Sequence, residues 1–279
     1  MITLICQQCG REFLSTRRNK KYCSCACANT KAANNRSKAI EDMQAQIVWS
    51  SGGGIQSTAI AALIYSGVLP KPDFAVMIDT GYESDKTYSY LERIIRPKLS
   101  EVGVKFNLVS SEVFGGDTKI IGDTGLVNIP AFRKNSDGSV SHLATWCNNA
   151  WKVKVLRRWL REQGVEKCID WVGISTDESR RANKDSGVKW ITNAYPLIEL
   201  GMDRTACVEQ IKKVGWEMPV RTSCVFCPNR TNYEWLRLKY ESPSDFERAC
   251  QLDEYLRKVR PDIWLHSSCR PLREVMMSE

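Results

Sequence analysis

Histidine is nearly missing from this chain: His142 and His266 are the only two among 279 residues. No motif supports a Ser-His-Asp catalytic reading for either one. Each reads as a structural histidine with satisfied ring nitrogens, and His266 in "LHSSCRPL" is also a candidate to orient a phosphate. No run of 18 apolar residues is present, which excludes an ordinary transmembrane helix. The opening "MITLICQQCGREF" lacks the basic-then-apolar order of a secretory leader, and a cytoplasmic location is expected. Neither GxxxxGK[ST] nor GxGxxG occurs, so the two commonest phosphate loops are absent. There is no internal repeat.

Cysteine, by contrast, is abundant, with twelve. In a reducing compartment clustered cysteines bind metal or do redox chemistry rather than pair as disulfides. The formal charge is +8, and residues 1–42 carry eight Lys/Arg against three Asp/Glu. Such a basic segment is either a solvated surface or a grip for an acidic partner, most simply nucleic acid.

The pattern along the chain divides it into four: residues 1–27, cysteine-rich and poor in core residues; a polar linker over 28–45; a nucleotide-binding domain over 46–200; and a helical region with a cysteine pair over 201–279. Within the third part apolar strands alternate with helices. "QIVWS", "DFAVMID", "VKFNLVS" and "CIDWVGIS" read as strands. "STAIAALIYSG" reads as a helix ending at Gly67, and "SDKTYSYLERIIRPKLSEVG" as a long amphipathic one. "WKVKVLRRWLREQG" carries an apolar stripe of Val155, Leu156, Trp159 and Leu160, with Lys154, Arg158 and Arg161 on another face. Residues 111–141, with five glycines, suggest a mobile loop or lid. Later helices are "RTACVEQIKKVG", "TNYEWLRLK" with a capping box of Thr231 and Glu234, and "SPSDFERACQLDEYLRKV". Strands alternating with helices predict an α/β fold with a mostly parallel, doubly wound sheet.

The candidate ligand loop is "SSGGGIQST": Ser50, Ser51, Gly52, Gly53, Gly54, Gln56, Ser57 and Thr58. It follows a strand and precedes a helix. Glycines let several N–H groups converge, the helix N-terminus adds partial positive charge, and the hydroxyls donate. The stretch is either a phosphate cradle or a tightly packed strand–helix turn. Asp79, ending the second strand in "DTG" with Thr80 and Gly81, is a candidate ligand for magnesium or ribose, or a helix-capping residue. Arg180, beside Arg181, is a candidate phosphate clamp or part of a solvated turn; Lys152 is a candidate point charge for phosphate or a solvated lysine.

Two cysteine sets stand out. Cys6, Cys9, Cys23 and Cys27 have the paired spacing of a tetrahedral thiolate site, pointing to structural zinc, with Cys25 competing for one position. The segment "CQQCGREF…KYCS" also resembles treble-clef or zinc-ribbon knuckles. In the second set, "TSCVFCPNR" places Cys224 and Cys227 as C-x2-C before a proline. Cys168 and Cys250 read as core thiols, and Cys269 is unassigned.

"SSGGGIQSTAIAAL" resembles the PP-loop, S-G-G-x-D-S, of the ATP pyrophosphatases, also called adenine nucleotide alpha hydrolases. "IDTGYESDKTYSYL" is similar to the D-T-G…E-T segment of sulfonucleotide (PAPS) reductases, and "GISTDESRR" to their G-x-R-x-x-E-S segment. "HSSCRPL" is similar to phage and bacterial PAPS-reductase-like proteins. The resemblance spans about residues 46–275. Aligned on Ser57, the usual Ser and Asp positions hold Gly52 and Gln56, with Ser50 and Ser51 as substitute hydroxyls.

The resemblance implies a PP-loop (HUP-like) fold, ATP and Mg2+ as ligands, and cleavage of ATP between its α and β phosphates. In sulfonucleotide reductases an adenylyl sulfate is bound instead. It also implies a [4Fe–4S] cluster at Cys147, Cys207, Cys224 and Cys227, with zinc, a redox dithiol or buried structural thiols as alternatives. The function expected is adenylation of tRNA or DNA for modification, with sulfur insertion and a sulfur donor or reductant as partner. The alternatives are a sulfonucleotide reductase and a non-catalytic nucleic-acid binder with a degenerate loop. Against the reductase, the tail "SCRPLREVMMSE" lacks that family's E-C-G-x-H-like motif.

Overall fold

The computed structural model describes residues 1–24, 27, 45–123, 125–144, 146–183 and 185–275. The predicted linker, apart from residue 45, and Cys25 lie outside these residues. Two compact units interleave along the chain. The first comprises residues 1–77, 94–107 and 165–219; the second, residues 78–93, 108–164 and 220–279.

The first unit begins with an antiparallel hairpin, β1 (Ile2–Ile5) and β2 (Glu12–Ser15). The five-stranded sheet follows: β3 (Gln46–Ser50), β4 (Phe74–Asp79), β5 (Phe106–Ser110), and later β8 (Cys168–Val172) and β9 (Ile191–Ala194). Its spatial order is β5-β4-β3-β8-β9. β3 pairs in parallel with β4 and β8, and β8 in parallel with β9. Counted within the sheet this is 3-2-1-4-5, the doubly wound order, whose switch point lies between β3 and β8.

Helix α1 (Ile55–Tyr65) follows β3 and is buried from Ser57 to Ile64, as the mostly apolar "STAIAALI" requires. Gly67, at φ 74°, takes the left-handed turn that ends it. The long helix expected next is three pieces. α2 (Asp85–Tyr90), capped by Ser84, runs into a wide π-helical turn at Leu91–Ile95, then α3 (Arg96–Glu101) with Pro97 in its first turn. A proline cannot donate to the preceding turn, and the widened turn absorbs the misfit. Helices α5 (Pro196–Glu199) and α6 (Arg204–Lys213) complete the unit, with α6 packed on α1.

In the second unit, residues 111–141 are not a lid. They bury Ile120, Val127, Ile129 and Ala131 and form β6 (Phe132–Lys134) and β7 (Val140–His142). β10 (Ile263–Trp264) joins them in an antiparallel sheet of order β10-β6-β7. A π-helical turn at Asn148–Val153 leads into α4 (Lys154–Glu162), whose expected stripe, Val155, Leu156, Trp159 and Leu160, is buried. α7 (Asn232–Glu241) starts with the Thr231/Glu234 capping box, α8 (Pro243–Val259) has its proline in the first turn, and α9 (Leu272–Val275) closes the unit. Among the described residues no helix is long and apolar enough to cross a membrane.

Candidate functional sites: a glycine loop and two thiol clusters

The glycine loop in the first unit leaves the carboxyl end of β3 at the switch point. Gly53 sits at φ 73°, a conformation that favours glycine. Gly54 is the N-cap of α1, with no side chain capping the helix and no acid in its first turn. The first N–H groups of a helix have no intrahelical partner, so this end offers donors and partial positive charge to an anion. The loop braces itself through hydroxyls: Gly52 N–H donates to Ser57 Oγ (2.9 Å) and Gly53 N–H to Ser51 Oγ (3.1 Å). Thr58 is 2% exposed and its Oγ1 has no partner.

Across the switch point, Gly173 lets the chain after β8 approach. A Cβ there would stand 3.1 Å from both Ser57 N and Ser57 Oγ, so a side chain would press on the loop. Gln56 points its amide at Ser175 Oγ (3.4 Å) and Glu178 Oε2 (3.3 Å), and Arg181 pairs with the same carboxylate at 3.0 Å. Arg180 is exposed on this turn, Thr176–Asn183. Beneath the loop lies Asp170, on β8 and 7% exposed. Burial pushes its carboxyl up to about 6, against the pull of the Ser50 hydroxyl and N–H. Its Oδ1 has no partner. Sequence reasoning passed over this acid, although a lone aspartate inside "CIDWV" is itself a signal.

In the second unit, Asp79 Oδ1 accepts the Gly81 N–H at 2.8 Å and the Tyr88 hydroxyl at 2.7 Å, so its side chain braces the turn it begins. Thr80 is buried, its hydroxyl 3.6 Å from Cys224 Sγ. Two segments bring cysteines toward one place. Cys147 precedes the π-helical turn before α4, and Cys224 and Cys227 close a turn in which Cys227 N–H donates to the Cys224 carbonyl (2.9 Å). Cys147 and Cys224 pack against this unit's core, and the Val225 N–H donates to the Tyr82 carbonyl.

A Lys152–Glu83 ion pair of 2.9 Å stands beside these thiols. Glu83 is 1% exposed and its Oε2 has no partner. Burial works against the lysine's charge, but Glu83, Cys224 and Cys147 outweigh it and raise its pKa. Burial and then Glu83 push the Cys224 thiol up to about 12, with Lys152 and Thr80 pulling the other way. Cys147 is likewise raised, first by burial and then by Cys227. Arg230 donates to the carbonyls of Ser223 (3.4 Å) and Cys224 (3.2 Å). Cys207 lies in the first unit, fully buried on α6, and its electrostatic neighbours are Asp177, Asp203 and Arg204. Cys168 and Cys250 are core thiols as expected, and Cys269 is buried at φ 50°.

The four N-terminal thiols, Cys6, Cys9, Cys23 and Cys27, lie within 4.8 Å of one another. Two sulfur–sulfur distances are 3.7 Å (Cys9–Cys23) and 3.5 Å (Cys23–Cys27). Tetrahedral zinc–sulfur bonds of about 2.3 Å place ligands about 3.8 Å apart, so this group fits a single zinc ion. Its first pair hangs on a tight turn: Cys6 N–H donates to Arg11 (2.9 Å) and Gly10 N–H to Cys6 (3.0 Å). Burial opposes ionisation of Cys6, but the N–H groups of Cys23, Cys9 and Gln8 bring its thiol down to about 6. Cys27 pushes Cys23 up to about 12.

Among the described residues this is the only group of three or more such donors gathered within 4.8 Å. Cys147, Cys224 and Cys227 form no such group. His266 has a partner at each ring nitrogen, Ser268 (2.8 Å) and Asn232 (3.0 Å), and His142 Nε2 pairs with Asn229 (3.0 Å).

No family model matches the chain. In sequence it is similar to an uncharacterised protein of Methanocaldococcus jannaschii, 23% identical over 233 residues, which cover 78% of this chain and 44% of that protein. The chain thus spans less than half the length of that curated relative. Among solved structures it is similar to the U34-tRNA thiolase NcsA from Methanococcus maripaludis with its [4Fe-4S] cluster, at 14% identity and a TM-score of 0.44, covering 100% of this chain and 88% of that one. It is also similar to the phosphate complex of phosphoadenylyl-sulfate (PAPS) reductase from Candida auris, at 11% identity and a TM-score of 0.43, covering 74% of this chain and 91% of that one.

Proposed function

We propose that the chain is an ATP-dependent enzyme that adenylates a nucleic-acid substrate, tRNA or DNA, for modification by sulfur insertion. The observation that carries this reading is the uncapped N-terminus of α1, opening on the glycine loop at the switch point of a parallel sheet. Gly52 to Thr58 would take the phosphates. Arg180 is proposed as a phosphate clamp, and Asp79 as a ligand for Mg2+ or ribose. A substrate oxygen attacks the α-phosphorus; the new O–P bond replaces the bond to the bridging oxygen, and pyrophosphate leaves. Hydrosulfide from a sulfur donor then forms the C–S bond, the C–O bond breaks, and AMP leaves with the oxygen.

Cys147, Cys224 and Cys227 would hold a [4Fe–4S] cluster, which when bound supplies an iron able to carry sulfide. Lys152 keeps a cation beside these thiols, and Glu83 fixes its position. Cys6, Cys9, Cys23 and Cys27 would hold Zn2+ and fold the basic N-terminal module, which adds grip on nucleic acid. A second reading is a sulfonucleotide reductase that binds an adenylyl sulfate without cleaving ATP; Gln56, hydrogen-bonded where an acid is usual, favours a third, a non-catalytic nucleic-acid binder with a degenerate loop.

One assay separates the readings. Pyrophosphate and AMP formed from ATP only with tRNA or DNA support the first. Sulfite released from an adenylyl sulfate with a thiol donor supports the second. Neither product, with nucleic acid still bound, leaves a non-catalytic binder. Loss of binding on deleting residues 1–42 supports the module's role, and unchanged binding removes it.

A further inference from the structure

Tryptophan is the side chain with most to gain from burial, and eight of the nine here are buried or half-buried. Trp146 alone is exposed, at 59%. It stands immediately before Cys147, the thiol that opens the π-helical turn into α4. The segment that follows is the other anomaly. Residues 148–164 hold five Lys/Arg against one Glu. Three of the five, Lys154, Arg158 and Arg161, are exposed. At spacings of four and three residues they form one stripe, with steps of about 6 and 4.5 Å along the axis. Arg158 is held in place by its bond to the Phe114 carbonyl and is still open to solvent. The opposite stripe is core.

We propose that this segment docks an unpaired stretch of nucleic acid, with one base stacked on Trp146 beside Cys147 and the phosphates on Lys154, Arg158 and Arg161. The inference rests on the nucleic-acid reading above and names the surface and the state of the substrate. A bare indole face stacks any unpaired base but has no access to one inside a duplex, and a row of cations tracks a phosphate backbone. The two features are continuous in the chain, and Trp146 adjoins Cys147, so a base pulled from its stack onto the indole would arrive beside a thiol to which the sulfur chemistry is assigned.

The test uses the full-length protein and a short fluorescein-labelled single-stranded RNA, with its duplex and the DNA of the same sequence in parallel. Trp146→Ala is expected to weaken single-strand binding about tenfold, the scale of one lost base stack, and Trp146→Phe to keep most of it. Both leave duplex binding unchanged. The bound strand quenches tryptophan emission in the wild type and not in Trp146→Phe. Lys154→Gln with Arg161→Gln lowers the slope of log K against log salt by about 1.4, at about 0.7 per single-strand phosphate contact. Circular dichroism confirms the fold of each variant. Whether RNA or DNA binds more tightly identifies the source, and binding of either through Trp146 sustains the inference. Single-strand affinity and quenching unaltered in all variants overturn it while leaving the nucleic-acid reading intact. A wild type that binds no nucleic acid at low salt overturns both.

Discussion

The chain contains two thiol clusters, and their surroundings differ in every respect that decides reactivity. In the N-terminal module four sulfurs crowd within 4.8 Å on a hairpin turn and interact mainly with each other and with backbone N–H groups. In the second unit Cys147 and Cys224 pack on a hydrophobic core, near Cys227 and a half-buried ion pair. The first arrangement has the compactness of a site for a single cation. The second holds an ion pair beside thiols whose ionisation burial opposes. The lesson is that spacing identifies a metal knuckle, whereas a reactive thiol site is identified by what is buried beside it.

The largest expected effect strikes the first cluster. β1 and β2 form only a two-stranded hairpin, which is marginal on its own. Structural zinc supplies about 10 kcal/mol or more in such modules. Chelation, or Cys9→Ser, should unfold residues 1–27 as read by amide exchange, and leave exchange in the second unit's core unchanged.

Next comes the ion pair that only the second cluster has. Lys152→Met strands Glu83, 1% exposed, without its cation and should cost about 3 kcal/mol in denaturant unfolding. A cost below about 0.5 kcal/mol would show that the lysine is merely solvated.

A similar effect belongs to Asp170, a buried acid without such a lysine. Its folded pKa of about 6 lies above the ordinary 3.8. Between pH 4 and 6 the folded chain keeps a proton that the unfolded chain has lost. This group's contribution is therefore present below pH 4 and disappears as pH rises through 6, a change of roughly 3 kcal/mol. Asp170→Asn should flatten that part of the stability profile; an unchanged profile would mean that another group carries it.

The smallest effect is one of rate. In metal-free protein at neutral pH, iodoacetamide should label Cys9, in a module unfolded without its metal, well before Cys224, whose thiol burial pushes up to about 12. Peptide mass analysis reads the order, and equal labelling would erase the electrostatic contrast.

Local signals in the sequence located the glycine loop, α1, the α4 stripe and the N-terminal thiols, because each depends on residues close together in the chain. β9 escaped notice, since one buried and three half-buried residues between Gly187 and Pro196 show no periodicity. β6 and β7 were hidden for the same reason: three residues each, within a glycine-rich stretch that looked mobile but buries Ile129 and Ala131. The interleaving of the units was not legible either, because it depends on contacts between stretches far apart in sequence. Spacing alone could not decide which cysteines join Cys224 and Cys227. Tertiary structure puts Cys147 beside them and buries Cys207 on α6 in the first unit. Glu83 went unremarked because an acid's burial beside a lysine is invisible in "YESD".

The central claim is that the two thiol clusters hold different inorganic partners, and metal analysis of anaerobically purified wild type and Cys224→Ser tests it most directly. The account predicts iron, sulfide and visible absorption in the wild type together with zinc, and a variant that loses the first three and keeps the zinc. Zinc without iron in the wild type, or zinc that falls along with Cys224, would contradict it.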